Sequence, residues 1–473
     1  MTIKDLIRTV VLKTNSVFPF NFLNRIPYHI TLKTFTLIIG SYSEIKSIYL
    51  RHGMSKKNWV PAISDIDITV IISGNLSFEK EFNLLKLLWN KFDRLKKVFL
   101  MLGEVDILNE REIEEWSRYT IRGYETSGWR LLYGKEVIKS NYANEDNVLA
   151  IDSLNFALTS YLEYFLPKFY SEGGSNYLIQ KELTRLASKI LRYAGVPFEE
   201  NRKGGNKYEL LKTVIKGLES GVDKLNYEDT EAVATISLKN VVIRDSDLKY
   251  FPDVDGLSKH HDKIESFIIT YTVQFIILKD DLELAETVDL LNAIRTTFKS
   301  EAIKPVIFNF KIFEYMLRIY NPFFYSQLLD QRKVLLGEDS FIKVAKPDLC
   351  FYRKALIDDI SNIFLFARNK SLIQHKTVHR FIENEFNSIV NRTLFLKLCL
   401  EKASLEIMFD NSLKECRKNY PGQIQRLDFI LDNYKTIDSE QLSKDAFMLL
   451  RTLTGDVYDS LVSSEAHVIN QEN

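Results

Sequence analysis

The stretch Asn58–Ile72, NWVPAISDIDITVII, sets two aspartates, Asp65 and Asp67, at the mouth of an apolar run. Side chains alternate along a strand, so residues two apart project on the same side. A strand over Asp65–Ile72 therefore carries both carboxylates together at its entrance. Like charges this close resist joint ionisation unless a cation stands between them. The pair asks for a counter-charge.

Upstream, Leu32–Ile45 has the pattern of a buried helix and Ser47–His52 that of a short strand, followed by the loop GMSKKNWVPAIS. Downstream, SGN breaks the apolar run. Phe78, Phe82, Leu85, Leu88, Phe92 and Leu95 then recur at spacings of three and four, which predicts an amphipathic helix. A third strand is expected over Lys97–Asn109. The result is a compact α/β unit. The third strand carries Glu104 and Asp106 on one face, and alternation does not choose between them. A same-face pair joined by a third acid suits hard divalent cations; Mg2+ prefers carboxylate and phosphate oxygens, and two ions about 4 Å apart can serve displacement at phosphorus. Gly53, Ser55, Lys56 and Lys57 lie where a glycine-bearing loop would bring backbone N–H groups and positive charge to phosphates. Ser64 directly precedes the pair.

Gly53, then Ser64-Asp65-Ile66-Asp67, then a strand aspartate after one helix, resembles the nucleotidyltransferase superfamily of polymerase-β type, most nearly its small kanamycin-nucleotidyltransferase-like members. The family signature is Gly-Ser, roughly ten residues, Asp-x-Asp in a strand, and a third Asp. Met54 stands where the family has serine, with Ser55 one residue on; the literal Gly40-Ser41 falls inside the expected first helix. The resemblance implies a mixed sheet with helices, two Mg2+ ions, and transfer of a nucleoside monophosphate from a nucleoside triphosphate, ATP foremost, to an acceptor hydroxyl with release of pyrophosphate. Asp65, Asp67 and Asp106 would be the catalytic and metal-binding residues. Gly53, Ser55, Lys56 and Ser64 would bind the nucleotide. A helical part such as Val148–Gly195 would help shape the acceptor site.

From Val148 the texture turns to long helices, the first closing before Pro167 and the second ending at Gly195. The polar tract Arg244–Lys263 has the character of a boundary. Beyond it, strand, polar break and amphipathic helix recur: ITVIISGNLSFEKEFNLL and YTVQFIILKDDLELAETVDLL align with Ile71 on Ile277, an offset of 206. LLYGKEVI and VLLGEDSFI align with Gly134 on Gly337, an offset of 203. Two matches at nearly one offset suggest an internal duplication; the plainer alternative is coincidence between ordinary strand–helix patterns. At these offsets Asp65 maps to Tyr271, Asp67 to Val273, and Asp106 to within Asn309–Ile312, so the second copy would be degenerate. The expected fold class is α/β plus α, a nucleotidyltransferase-fold mixed sheet followed by a helical domain, duplicated. Its parts are a catalytic domain over 1–147, a helical domain over 148–243, a degenerate domain over 264–345 and a C-terminal helical domain over 346–473.

Length alone argues for several domains in a 473-residue chain. Sixty-three basic and 63 acidic residues argue against a chain built to coat nucleic acid. A small-molecule or protein acceptor is thus favoured over an RNA end. Cys350, Cys399 and Cys416 lack metal-like spacing and suit a reducing compartment. The first residues make a poor signal peptide, and no apolar run nears the roughly 20 residues needed to span a bilayer, so a cytoplasmic location without membrane contact is expected. Lys181, Arg185, Lys189 and Arg192 form a basic helix stripe, which ordinarily is a solvated face. Trp59 either braces its loop or stacks on a base. A non-enzymatic alternative is a nucleotide-binding or scaffolding protein built from tandem domains that have lost activity.

Overall fold

The computed structural model describes residues 3–55, 59–111, 113, 128–138, 146–171, 176–197, 206–225, 254–270, 273–279, 282–298, 304–347, 351, 355, 365, 367–402 and 409–469. It is mixed α/β with two four-stranded sheets and many helices. The chain divides into two compact units, residues 11–142 with 356–473 and residues 1–10 with 143–355.

The first of these units contains helix α1 (Ile26–Ile39), strands β1 (Ile45–Leu50) and β2 (Ile66–Ile72), helix α2 (Phe78–Val98), and strands β3 (Leu102–Asn109) and β4 (Arg130–Gly134). The strand order is β3-β2-β1-β4, with β1 antiparallel to both β2 and β4 and β2 parallel to β3. The parallel step is made by α2, since parallel neighbours require a crossover. Helix α1 stops at Ile39, short of the expected Ile45, where the Gly40 N–H closes the last turn on the Thr36 carbonyl. Helix α2 extends to Val98 and takes the first residues assigned from sequence to the third strand.

Alternation divides the sheet. Val70, Val105 and Ile107 meet Phe35 of α1 and Leu88 and Trp89 of α2. The opposite face carries Tyr49, Ile71 and Leu108, packed with Ile113 and Ile138. The outer side of α2 is covered by the C-terminal part of the chain. The Phe78 and Phe82 rings lie 5.3 and 5.5 Å from that of Phe447, on the helix Ser439–Ile469. Between them Glu81 pairs with Arg368 at 2.8 Å and Arg451 at 3.2 Å, and Glu81 and Arg368 are each 1 % exposed.

The other unit contains β5 (Ile264–Ile269), β6 (Gln274–Leu278), helix α3 (Leu284–Thr297), β7 (Val306–Asn309) and β8 (Lys333–Gly337). Its order is β7-β6-β5-β8, with the same assignment of antiparallel and parallel pairs. The irregularities also agree. Register shifts fall between Ile45 and Ser47 and between Ile48 and Tyr49 in β1, and between Ile264 and Ser266 and between Phe267 and Ile268 in β5. Gly134 and Gly337 close β4 and β8 at φ of +83° and +74°, facing Ser47 and Ser266. A Cβ there would meet the Lys46 or Glu265 carbonyl oxygen at 1.9 or 2.1 Å, so both positions require glycine.

Helices from Asp146 to Asp223 belong to this second unit and pack on its sheet. The Tyr161 hydroxyl donates to the Ile307 carbonyl at 2.5 Å, and that of Tyr170 to the Pro305 carbonyl at 2.9 Å. Burial pushes both phenols well above their ordinary pKa. The first helix does not close before Pro167: a π-helical turn, Tyr161–Phe165, leads into Leu166–Tyr170, with Pro167 in a first turn that needs no N–H donor. Another π turn, Ile382–Phe386, joins His375–Phe381 to Asn387–Lys402 in the other unit. The tract Arg244–Lys263 lies inside the second unit; its residues 254–263 include the 3₁₀ turn Asp255–His260 leading into β5, and 244–253 fall outside the described residues.

Glu81→Ala should destabilise the unit built on β1–β4 by about 3–5 kcal/mol, because it leaves the buried Arg368 without its counter-charge. The Glu81→Met/Arg368→Met double variant should recover much of that loss. Urea unfolding followed by tryptophan fluorescence checks both.

Candidate functional site

The end of β2 that carries the aspartates adjoins the end of β1, since the Arg51 N–H donates to the Asp67 carbonyl at 2.9 Å. Asp65 is exposed and Asp67 half-buried. Both lie against Gly103, at the start of β3: a Cβ there would come within 2.7 Å of the Asp65 Cβ and 2.4 Å of Asp67 Oδ1. Glycine is what permits this approach. Asp67 is oriented by the Glu104 N–H, which donates to its Oδ1 at 3.0 Å. The β2–β3 register sets Asp106 opposite Thr69, two residues beyond Asp67 and on the same face. Glu104 points to solvent.

Asp106 already has a cation. Arg51 Nη1 reaches its Oδ2 at 2.5 Å, with the arginine side chain 2 % exposed and that of Asp106 21 %. The guanidinium carbon sits 5.9 Å from the centre of the Trp129 ring, at the entry to β4. Arg51 Nε and Nη2 are buried without hydrogen-bond partners, as is Thr69 Oγ1. Native interiors rarely leave such groups unmatched. Among the described residues, no three His, Cys, Asp or Glu side chains are gathered closely enough to hold a metal ion.

The expected phosphate loop is in part helical. Gly53, Met54 and Ser55 lie in the short turn His52–Ser55, and Met54 is buried. Ser55 Oγ donates to the Gly128 carbonyl at 2.6 Å, tying the turn to the approach to β4. Lys56 and Lys57 lie outside the described residues. Ser64 is a loop-bracing residue: its Oγ accepts the Val60 N–H at 2.9 Å and its carbonyl accepts the Tyr28 hydroxyl at 3.1 Å. The Tyr28 hydroxyl also accepts the N–H of Ala62, which adopts φ +71°. A left-handed alanine costs of order 1 kcal/mol, so the approach to Asp65 is held in place by its contacts. Trp59 lies in that brace, 4.7 Å from the Tyr28 ring, with the Arg25 guanidinium carbon 5.5 Å from the centre of its own ring.

The second sheet lacks these groups. Thr270 N–H donates to the Val273 carbonyl at 2.9 Å, as Arg51 does to Asp67, so Thr270 and Val273 stand in their positions. Phe275 pairs with Val306 as Thr69 pairs with Asp106. The position matching Asp106 is thus Val306 rather than one of Asn309–Ile312, because the β6–β7 connection is shorter. Phe313 and Phe324 pack on Phe275 with ring centres 5.6 and 6.0 Å away. Tyr271 lies outside the described residues. The basic stripe is on a helix of this unit, where the Lys189 ammonium lies 4.7 Å from the centre of the Phe156 ring.

Comparison of the chain with family models, with curated proteins and with solved structures found no match. No helix among the described residues is long and apolar enough to cross a membrane.

Arg51, Gly103 and Trp129 had not been singled out from sequence. A charged residue closing the apolar run Ile45–Leu50, and a glycine opening a strand opposite two aspartates, were the available signals. Asp106→Asn should cost about 3 kcal/mol of stability by leaving the buried guanidinium uncompensated. Asp65→Asn, at an exposed position, should stay within about 0.5 kcal/mol. Equal effects in urea titrations would contradict a structural Arg51–Asp106 pair.

Proposed function

We propose that the chain is a nucleotidyltransferase that moves a nucleoside monophosphate from a nucleoside triphosphate, with ATP the first to test, to the hydroxyl of a small-molecule or protein acceptor. The observation that carries this reading is Asp67 and Asp106 on one face of adjacent strands, with Asp65 and Asp67 both lying against Gly103 at the same end. The donor chemistry suits Mg2+ at Asp65 and Asp67, since both offer carboxylate oxygens and the Glu104 N–H already fixes one of them. When bound, the ion offsets phosphate charge and polarises the phosphoryl group under attack. Asp65 and Asp67 bind and orient; Arg51 holds Asp106 and brings a permanent positive charge to the same face. In the transfer, the acceptor oxygen bonds to the α-phosphorus. The bond from that phosphorus to the oxygen shared with the β-phosphate breaks, pyrophosphate leaves, and the hydroxyl proton passes to water.

We further infer that β5–β8 is a duplicate of β1–β4 that has lost the site. The shared strand order, register shifts and glycine positions support common descent, and Thr270, Val273 and Val306 supply no carboxylate. The helices that follow the first sheet in sequence belong to the unit of the second sheet. Leu365 packs on the Tyr49–Ile71–Leu108 face and is a candidate for the acceptor wall.

The Arg51–Asp106 pair favours one second reading, nucleotide binding without transfer, because it occupies an acid that the reaction would otherwise use. Transfer of label from α-labelled ATP to an acceptor in cell extract with Mg2+, with pyrophosphate release followed in parallel, separates the two. Transfer is expected, falling about 100-fold or more in Asp67→Asn. Nucleotide binding with no pyrophosphate from any of the four triphosphates would favour the second reading. Absence of nucleotide binding would refute both.

A further inference from the structure

We propose that the Arg51 guanidinium is a built-in cation that takes the place of a second divalent ion, so that this end of the sheet holds one ion rather than two. The inference rests on the nucleotidyl-transfer site above. It starts from a group whose burial the fold alone does not explain.

Arg51 is 2 % exposed, held by a single carboxylate oxygen at 2.5 Å, with Nε and Nη2 unmatched. Burying a charge with unmet donors is unfavourable, and an apolar side chain of similar volume often serves stability better. The second sheet makes the comparison internally. Thr270 occupies the matching position with the same backbone bond to the neighbouring strand, so the architecture does not need arginine there. The positive charge is therefore retained for what it does beside the carboxylates.

Its position says what that is. Arg51 Nη1 lies on Oδ2 of Asp106, the acid that would have to bind a second ion. An ion there would face a guanidinium that is charged at every accessible pH and has little water to screen it. Before nucleotide binds, three carboxylates are balanced by one guanidinium and one divalent ion, so the site has no need of a second. The Arg51 side chain pairs with Asp106 and not with Asp67, whose Oδ1 lies with Asp65 beside Gly103. Arg51 is thus a positioning residue. Trp129 against its guanidinium and the Arg51–Asp67 backbone bond fix the cation relative to both strands.

The count of bound ions tests this without relying on turnover. Mn2+ binding to the full chain is measured by electron paramagnetic resonance with a non-hydrolysable ATP analogue present. Wild type should bind one Mn2+ per chain at the site, Arg51→Lys should also bind one, and Arg51→Met should bind two. Two ions on wild type, or one on a folded Arg51→Met, would overturn the fixed-cation assignment and leave the nucleotide site standing. No ion on wild type would overturn both. Should Arg51→Met fail to fold, the wild-type count still decides.

Discussion

β2 lies between an antiparallel neighbour and a parallel one, and its alternation decides what both faces of the sheet can be. Val70 turns toward α1 and α2, committing that face to burial. Asp67 and Thr69 turn the other way, and the register with β3 brings Asp106 beside them. A one-residue slip would drive the carboxylates into the helices and the valine into water. The apolar face therefore protects the polar one: the core that forbids slippage also holds the acids in line.

The site shows a conflict between charge and burial that is resolved with little margin. Asp65 is exposed, Asp67 receives one backbone N–H, and Asp106 receives a buried guanidinium. Only the last arrangement leaves unmatched donors. The buried Glu81 takes both Arg368 and Arg451, and there too Glu81 Oε1 and Arg368 Nε are buried without hydrogen-bond partners.

Much of this was legible in the sequence because it is periodic. The strand Asp65–Ile72, the helix from Phe78 and the strand ending at Asn109 differ from the structure mainly at their ends, where the helix runs on to Val98, whereas the first helix lies six residues earlier than expected and stops before Gly40. The match of Gly134 with Gly337 was visible because a left-handed turn against a neighbouring carbonyl admits only glycine. What periodicity could not supply was contact across distance. Arg51 and Asp106 are 55 positions apart, and Ser64 has the right neighbours for a ligand yet is engaged by Val60 and Tyr28. The assignment of helices to sheets was equally hidden. The apolar stripe of the helices after Asp146 is compatible with either sheet, and their aromatic hydroxyls meet carbonyls of the second.

The most direct measurement is a crystal structure of the full chain soaked with Mg2+ and a non-hydrolysable ATP analogue. The account predicts one ion between Asp65 and Asp67, the triphosphate at the β1–β2 end of the first sheet, the Arg51–Asp106 pair intact, and no nucleotide at Thr270 and Val273. Nucleotide bound at the second sheet, or Asp65 and Asp67 left without an ion while the triphosphate binds elsewhere, would contradict it.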